Sequence, residues 1–205
     1  AQVSLSADIP ALRERYLLQG IRALFSLARY DECIRIWEEE VQLLPEENLM
    51  RRMIEPYIAG ARYHTGQIKS EVEYFAQRGD IESMLYCSYL SGERISAVKA
   101  LSMICESNPN HHYIPKALQK CVRQMEPNLY WDFDRPFTVT PDYNDLCSLC
   151  DRMIRSAEVT DKAIWYYTRA FLHDLVKDTW MAMRYLKLAE GQKCSQFLKE
   201  SLKVF

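Results

Sequence analysis

The chain has 205 residues, a formal net charge of −2 and a sequence pI near 6.1. Apolar residues make up 48% of it and aromatic residues 12%, which is enough to bury the core of one domain. Neither the net charge nor any Lys/Arg run indicates a nucleic-acid-binding surface, and no apolar stretch reaches the roughly 20 residues that span a bilayer. We therefore expect a soluble, folded protein that does not bind nucleic acid and does not insert this segment into a membrane.

Two helices are predicted at the start of the chain. The first begins at Pro10 and runs to Ala28, with apolar residues every three or four positions. The second is expected to open at Asp31, an N-cap type of residue, and to end at Pro45. Only the tripeptide "RYD" joins them, so we expect the two helices to lie antiparallel.

This helix pair resembles a tetratricopeptide repeat. The residues of "YLLQGIRALFSLARYDECIRIWEEEVQLLP" that carry the resemblance are Leu17, Gly20, Leu24, Ala28, Tyr30, Cys33, Trp37 and Pro45. A second copy has Gly92 at the turn, Ala97 as the small residue, Leu101 as the packing residue and Pro109 as the terminator. Pro45 and Pro109 are 64 residues apart (109 − 45), close to twice the repeat of about 34 residues.

Two weaker copies are similar to the same repeat. The first covers 49–79, with Gly66 at its turn and Phe75 as its packing residue, and Pro56 is expected to kink or shorten its first helix. The second covers 161–191 and is expected to close at Gly191 as a C-cap. Its small and packing residues are Ala170, Ala182, Leu186 and Ala189.

The resemblance implies an all-α fold, a right-handed α-solenoid of antiparallel helix pairs in a single domain, in which neighbouring pairs bury one another's apolar faces. The predicted segments are repeat 1 (10–45), degenerate repeat 2 (49–79), repeat 3 (80–109), a helix (112–125), an irregular loop (126–142), a helix (143–158), a degenerate repeat (161–191) and a terminal helix (192–205). The terminal helix has no cap after it, so we also expect a longer chain to continue beyond it.

The resemblance further implies a concave surface, lined by the first helix of each pair, that holds a peptide or a partner's helix. Arg22, Arg52, Arg62 and Tyr63 are the candidate binding residues on it. No nucleotide loop, nucleophile elbow or metalloprotease motif occurs in the sequence. The leading hypothesis is therefore a protein- or peptide-binding scaffold that has no cofactor and is not an enzyme.

The stretch "EPNLYWDFDRPFTVTPDYND" interrupts the helical pattern with aromatic rings and aspartates. We interpret it mainly as a structural connection whose rings pack across the helices, with Asp142 capping the helix that follows. The alternative is a small-ligand binder or an enzyme with a pocket under the loop, formed by Trp131, Asp132 and Asp134. Side chains pointing into a pocket would favour that alternative.

Two further patterns contain residues that could carry chemistry. Cys147 and Cys150 in "CSLC" could chelate a metal or cycle as a dithiol, but at this spacing on a helix we expect them to pack in the core. The adjacent His111 and His112 are expected to be loop residues, because neighbouring side chains point to different sides. The seven cysteines, an odd number spread along the chain, weakly favour a reducing compartment.

Overall fold

A computed structural model describes residues 10–46, 48–125 and 137–192. All regular structure in these ranges is helical, and no described residue forms a strand, which confirms the all-α class. Of the described helices, none has the length and apolar character needed to cross a bilayer. The helices are α1 (Pro10–Ser26), α2 (Tyr30–Ile36), a π-helical turn (Trp37–Val41), α3 (Leu49–His64), α4 (Glu71–Gln77), α5 (Ile81–Leu90), α6 (Ala97–Ser107), α7 (Ile114–Met125), α8 (Pro141–Arg155), α9 (Ala163–Leu175) and α10 (Thr179–Glu190).

Several helices begin where a side chain accepts the backbone N–H three residues further on. Such caps satisfy an N–H that has no partner within the helix. The capping residues are Asn48, Asp80, Ser96, Thr140 and Asp178. The prediction that Asp31 and Asp142 cap their helices is wrong, since both lie inside the first turn. There their charge still stabilises the positive end of the helix dipole.

The second helix ends earlier than expected. Its α-helical part stops at Ile36, and a π-helical turn with Trp37 and Val41 both buried follows it, so that the helix closes before Pro45. Pro56 lies inside α3, which nevertheless runs on to His64. Proline removes one backbone hydrogen bond from a helix, but here the helix is not shortened.

By its contacts the chain divides into two compact units, residues 1–74 and 75–205. In the first unit α1, α2 and α3 pack against one another in all three pairings. Their core is a single cluster of buried side chains. It contains Leu18, Ile21, Cys33, Ile34, Trp37, Val41, Ile54, Ile58 and Ala61. The predicted packing residue Trp37 is only 3% exposed.

In the second unit most helices pack against their neighbours in sequence. Contacts join α5 to α6, α6 to α7 and α8, α8 to α9, and α9 to α10. The pairing of α9 with α10 is built on small residues: Ala163, Ala170 and Ala189 are all 0% exposed and lie around Leu186. Small side chains at a helix contact allow the two backbones to approach closely.

Two loops of the second unit are joined through one side chain. The Nδ2 of Asn110 donates to the carbonyl of Glu158 at 2.8 Å, and its Oδ1 accepts from the backbone N and the hydroxyl of Thr160, both at 2.8 Å. The loop before α7 is thereby fixed to the loop before α9. The predicted 192–205 helix lies outside the described residues from position 193 onward. The loop predicted for 126–142 is described only from 137, and its last two residues belong to α8.

Candidate functional site

The four residues predicted on the concave surface lie on two helices of the first unit. Arg22 is exposed on α1, and Arg52 is exposed on α3. Tyr63 is 49% exposed, and its ring contacts that of His64 edge to face at 5.7 Å. Because Arg52 and Tyr63 are eleven residues apart, they lie on the same side of α3. A common binding surface for all four residues stays a prediction.

Arg62 is in a different environment, because its side chain is 20% exposed and forms an ion pair with Glu38 at 3.8 Å. It is one of three arginines that pair with the run Glu38–Glu40. Arg35 lies 3.8 Å from Glu39, and Arg13 donates to Glu40 at 2.8 Å. Each carboxylate of the acidic run thus has an arginine partner inside the unit. Among the described residues, Arg15, Arg22 and Arg52 have no carboxylate partner.

The residues of the alternative loop site, Trp131, Asp132 and Asp134, lie outside the described residues. The described end of that loop packs on the helix that follows it, with the Phe137 ring 5.4 Å from the ring of Tyr143. The hydroxyl of Tyr143 donates to the carbonyl of Leu172 at 3.1 Å and so ties α8 to α9. This end of the loop has a packing role.

The two cysteines of "CSLC" lie on α8 in different surroundings. Cys150 is fully buried, and burial raises the pKa of its thiol. Cys147 is partly buried and accepts a hydrogen bond from Nη1 of Arg169 at 3.0 Å. Burial raises the pKa of Cys147 as well, and it outweighs the opposing effect of Arg169. The raised pKa values disfavour the thiolate, which is the form in which a cysteine acts as a nucleophile.

Arg169 on α9 connects three helices of the second unit. Its Nε and Nη2 donate to the two carboxylate oxygens of Asp151 on α8, at 2.9 and 3.3 Å. Its guanidinium also lies over the ring of Tyr185 on α10, 5.5 Å from the centroid. The side chain is 14% exposed. Bidentate pairs of this kind fix geometry as well as charge, so Arg169 positions both Asp151 and Tyr185.

His173 lies one helical turn after Arg169 and stacks on the same tyrosine, with ring centroids 5.3 Å apart. Its Nδ1 is 3.1 Å from Oδ2 of Asp178, whose other oxygen caps α10. The Nε2 of His173 is buried and has no hydrogen-bond partner among the described residues. The imidazole therefore supports the α9–α10 junction and is closed to solvent at its second nitrogen.

Beside this junction an open groove of about 440 Å³ lies among α8, α9 and α10; we call it the α8–α10 groove. Its lining residues are Asp151, Ile154, Arg155, Tyr166, Met181, Arg184, Tyr185 and Leu188. The helices on its two sides, α8 and α10, both pack against α9, and α9 contributes Tyr166 to the lining. Aliphatic and aromatic side chains with a few charged groups are typical of binding sites.

The charge of the α8–α10 groove is mainly positive. Its one carboxylate, Asp151, is bound by Arg169, whereas Arg155 and Arg184 are exposed. The Nε of Arg155 donates to the backbone carbonyl of Asp151 at 3.0 Å, and the Arg184 guanidinium lies 5.7 Å from the ring of Trp180. Neither arginine has a carboxylate partner within the described ranges. Trp180 itself is 70% exposed.

The sequence did not single out this groove. Arg184 follows Trp180 by one helical turn, and Met183 and Leu188 are also exposed on α10. An apolar and basic stripe of this kind can be recognised in the sequence of a helix. The contribution of α8 could not be read from the sequence, because it depends on packing across α9. In the part of the chain that the structure describes, no three His, Cys, Asp or Glu side chains are placed to hold a metal ion.

Comparisons of the chain with protein families, with curated proteins and with solved structures found no match.

Proposed function

We propose that this chain is a protein-binding module and that the α8–α10 groove holds an acidic segment of a partner. The observation that carries the proposal is the pair of exposed arginines, Arg155 and Arg184, beside apolar walls. A partner segment with an apolar side chain between carboxylates would match both the shape and the charge of the groove. The exposed indole of Trp180 at its border fits the usual enrichment of tryptophan in protein interfaces.

The proposal keeps the interpretation of the chain as a scaffold without catalytic chemistry. Stacked helix pairs of the tetratricopeptide type, forming a right-handed α-solenoid, remain the architecture proposed for it. The groove is preformed, because Arg169 and His173 hold Tyr185 from α9, and a rigid site loses less entropy when a partner binds. The surface with Arg22, Arg52, Arg62 and Tyr63 is a further candidate for the same class of function.

Affinity capture with the intact chain tests the proposal. We expect at least one protein to bind the wild type and to be lost from the Arg155→Glu/Arg184→Glu variant, because reversing both charges opposes an acidic segment. Arg123→Glu is the matched control, since Arg123 is an exposed arginine on α7 that does not line the groove. Arg52→Ala and Trp131→Ala test the two surfaces predicted from the sequence.

A direct measurement follows for any segment recovered in this way. Trp180 is the exposed tryptophan of the described residues, since Trp37 and Trp165 are 3% and 1% exposed. Titrating the segment should change the tryptophan emission of the wild type and leave that of Trp180→Phe nearly constant. Equal capture by the wild type and by the groove variant would contradict the proposal.

A further inference from the structure

A second surface, on α1 in the first unit, carries exposed apolar side chains. The buried face of α1 carries Leu18 and Ile21 and packs into the cluster with α2 and α3. The opposite face is also apolar and is exposed; we call it the α1 outer face. It consists of Leu12 (44% exposed), Tyr16 (54%), Gly20, Ala23 and Leu27 (67%).

The residues of the α1 outer face recur at intervals of four, four, three and four positions, which places them on one side of a helix. Leu27 belongs to this row although it follows α1, because its N–H still bonds to the carbonyl of Ala23 at 3.0 Å. A helix at the border of a globular unit normally has one apolar face. A second apolar face of this length indicates that another element covers it.

Gly20 indicates what kind of element this is. A glycine inside a helix costs about 1 kcal/mol of stability relative to alanine. A Cβ at Gly20 would meet no atom within 4 Å, so nothing packed around it requires its small size. Gly20 and Ala23 are the two small, exposed residues of this row, and they lie between Tyr16 and Leu27. Small residues on a helix face let a second helix approach to about 8–10 Å between axes.

The charges beside the α1 outer face indicate the chemistry of the partner. Arg15 and Arg22 are exposed along one edge of it and have no carboxylate partner among the described residues. Glu14 is the only acidic residue of α1, and its carboxylate accepts from Nδ2 of Asn48 at 3.1 Å. Two copies of α1 placed face to face would bring like-charged arginines together, which opposes self-association. Glu14 does not offset this, because its position is on another side of the helix.

We propose that the α1 outer face docks an amphipathic, acidic helix of a partner protein, with Gly20 at the closest approach and Arg15 and Arg22 pairing with its carboxylates. This site is separate in sequence and in chemistry from the α8–α10 groove, because it has an exposed glycine at its centre and no tryptophan. A chain with both sites would join two partners.

The test uses the full chain and a fluorescein-labelled synthetic helix of about 18 residues, with leucines at helical spacing and glutamates elsewhere. All measurements are made in an Arg155→Glu/Arg184→Glu background, so that binding in the groove does not contribute. Fluorescence anisotropy should show binding that weakens at least about tenfold in Arg15→Glu/Arg22→Glu and in Gly20→Leu. Arg123→Glu should bind like the background chain, and a probe with lysines in place of the glutamates should bind much more weakly.

Circular dichroism checks that each variant is folded, and Gly20→Ala provides a conservative comparison that should keep binding. Unchanged binding in both Arg15→Glu/Arg22→Glu and Gly20→Leu would overturn the proposal. So would sedimentation showing that the free chain self-associates and that these variants dissociate it, since the occupant would then be a second copy. Neither outcome bears on the groove, whose arginines are already reversed.

Discussion

At the scale of single residues, the backbone after several helices adopts a positive φ, at glycines in some places and at residues with a Cβ in others. Gly66 and Gly92 follow helices with φ of 74° and 80°, in the left-handed region that glycine enters without a steric penalty. Ala28 and Lys177 adopt the same region, with φ of 55° and 61°, at the short connections α1–α2 and α9–α10. For residues with a Cβ this conformation costs roughly 1–2 kcal/mol.

Ala28→Gly should therefore stabilise the protein, by about 0.5–1 kcal/mol after the greater entropy of glycine in the unfolded chain is subtracted. The matched control is Ala23→Gly in the body of α1, where the same change should cost about 1 kcal/mol. Urea denaturation of the two variants and the wild type measures both effects. Two changes of the same sign would show that the conformation of Ala28 is not the strained one described.

Gly79 shows a different constraint at the same scale. Its φ is 67°, and a Cβ there would lie 2.5 Å from Cε1 and Nδ1 of the His111 ring. His111 in turn accepts the backbone N–H of Tyr113 through Nδ1 at 3.2 Å. The His111 ring therefore occupies the space that the missing side chain of Gly79 leaves, 32 positions earlier in the sequence (111 − 79). The expectation that His111 is a loop residue did not include this packing role.

At the scale of elements, the pairing of α8, α9 and α10 depends on Arg169. The three contacts of its side chain go to Cys147 and Asp151 on α8 and to Tyr185 on α10. Removing one partner of a buried ion pair costs about 3–5 kcal/mol, because the other charge stays behind without compensation. The Asp151 side chain is 32% exposed and can recover part of its hydration, so the cost here is smaller.

We expect Arg169→Met to lower the free energy of unfolding by about 2 kcal/mol and to weaken binding at the α8–α10 groove, whose wall includes Tyr185. Arg169→Met/Asp151→Leu should recover much of the stability, because it removes the unpaired carboxylate as well. Chemical denaturation of the single and double variants measures the coupling. An Arg169→Met variant as stable as the wild type would show that the three contacts are not coupled.

At the scale of the whole molecule, buried thiols make stability depend on alkaline pH. Burial raises the pKa of both Cys105 and Cys121 to about 12, from 9.0. Above pH 9 the unfolded chain loses these protons while the folded chain keeps them. Folding then binds protons, so the contribution of these two thiols to stability falls as pH rises through this window and is constant below it.

Between pH 9 and 10 we expect each such thiol to reduce stability by up to about 1.4 kcal/mol per pH unit. Urea denaturation at pH 7, 8, 9 and 10, with a reducing agent present, measures the slope. Cys105→Ala and Cys121→Ala will lower stability at every pH because they leave cavities, but each should make the alkaline slope shallower. Slopes equal to that of the wild type would contradict the assignment of these thiols as the titrating groups.

The sequence by itself determined the helical class and most of the helix positions. Apolar residues at helical spacing, glycines after α3 and α5, and cap residues such as Ser96 act within a few positions of the chain, so they can be read locally. Errors occurred where two local signals competed, as for Asp142, where the neighbouring Thr140 caps the helix instead.

Only the tertiary structure decided which charges are available for binding. Arg13 and Arg22 look alike in the sequence and are both exposed, yet Arg13 is paired with Glu40, 27 positions away, while Arg22 has no carboxylate partner among the described residues. In the α8–α10 groove, Arg169 binds the carboxylate of Asp151, while Arg155 is exposed. Ion pairs of this kind depend on which helix faces pack together, and a periodic pattern gives the face of a helix but not its neighbour. The α8–α10 groove and the α1 outer face follow from that packing.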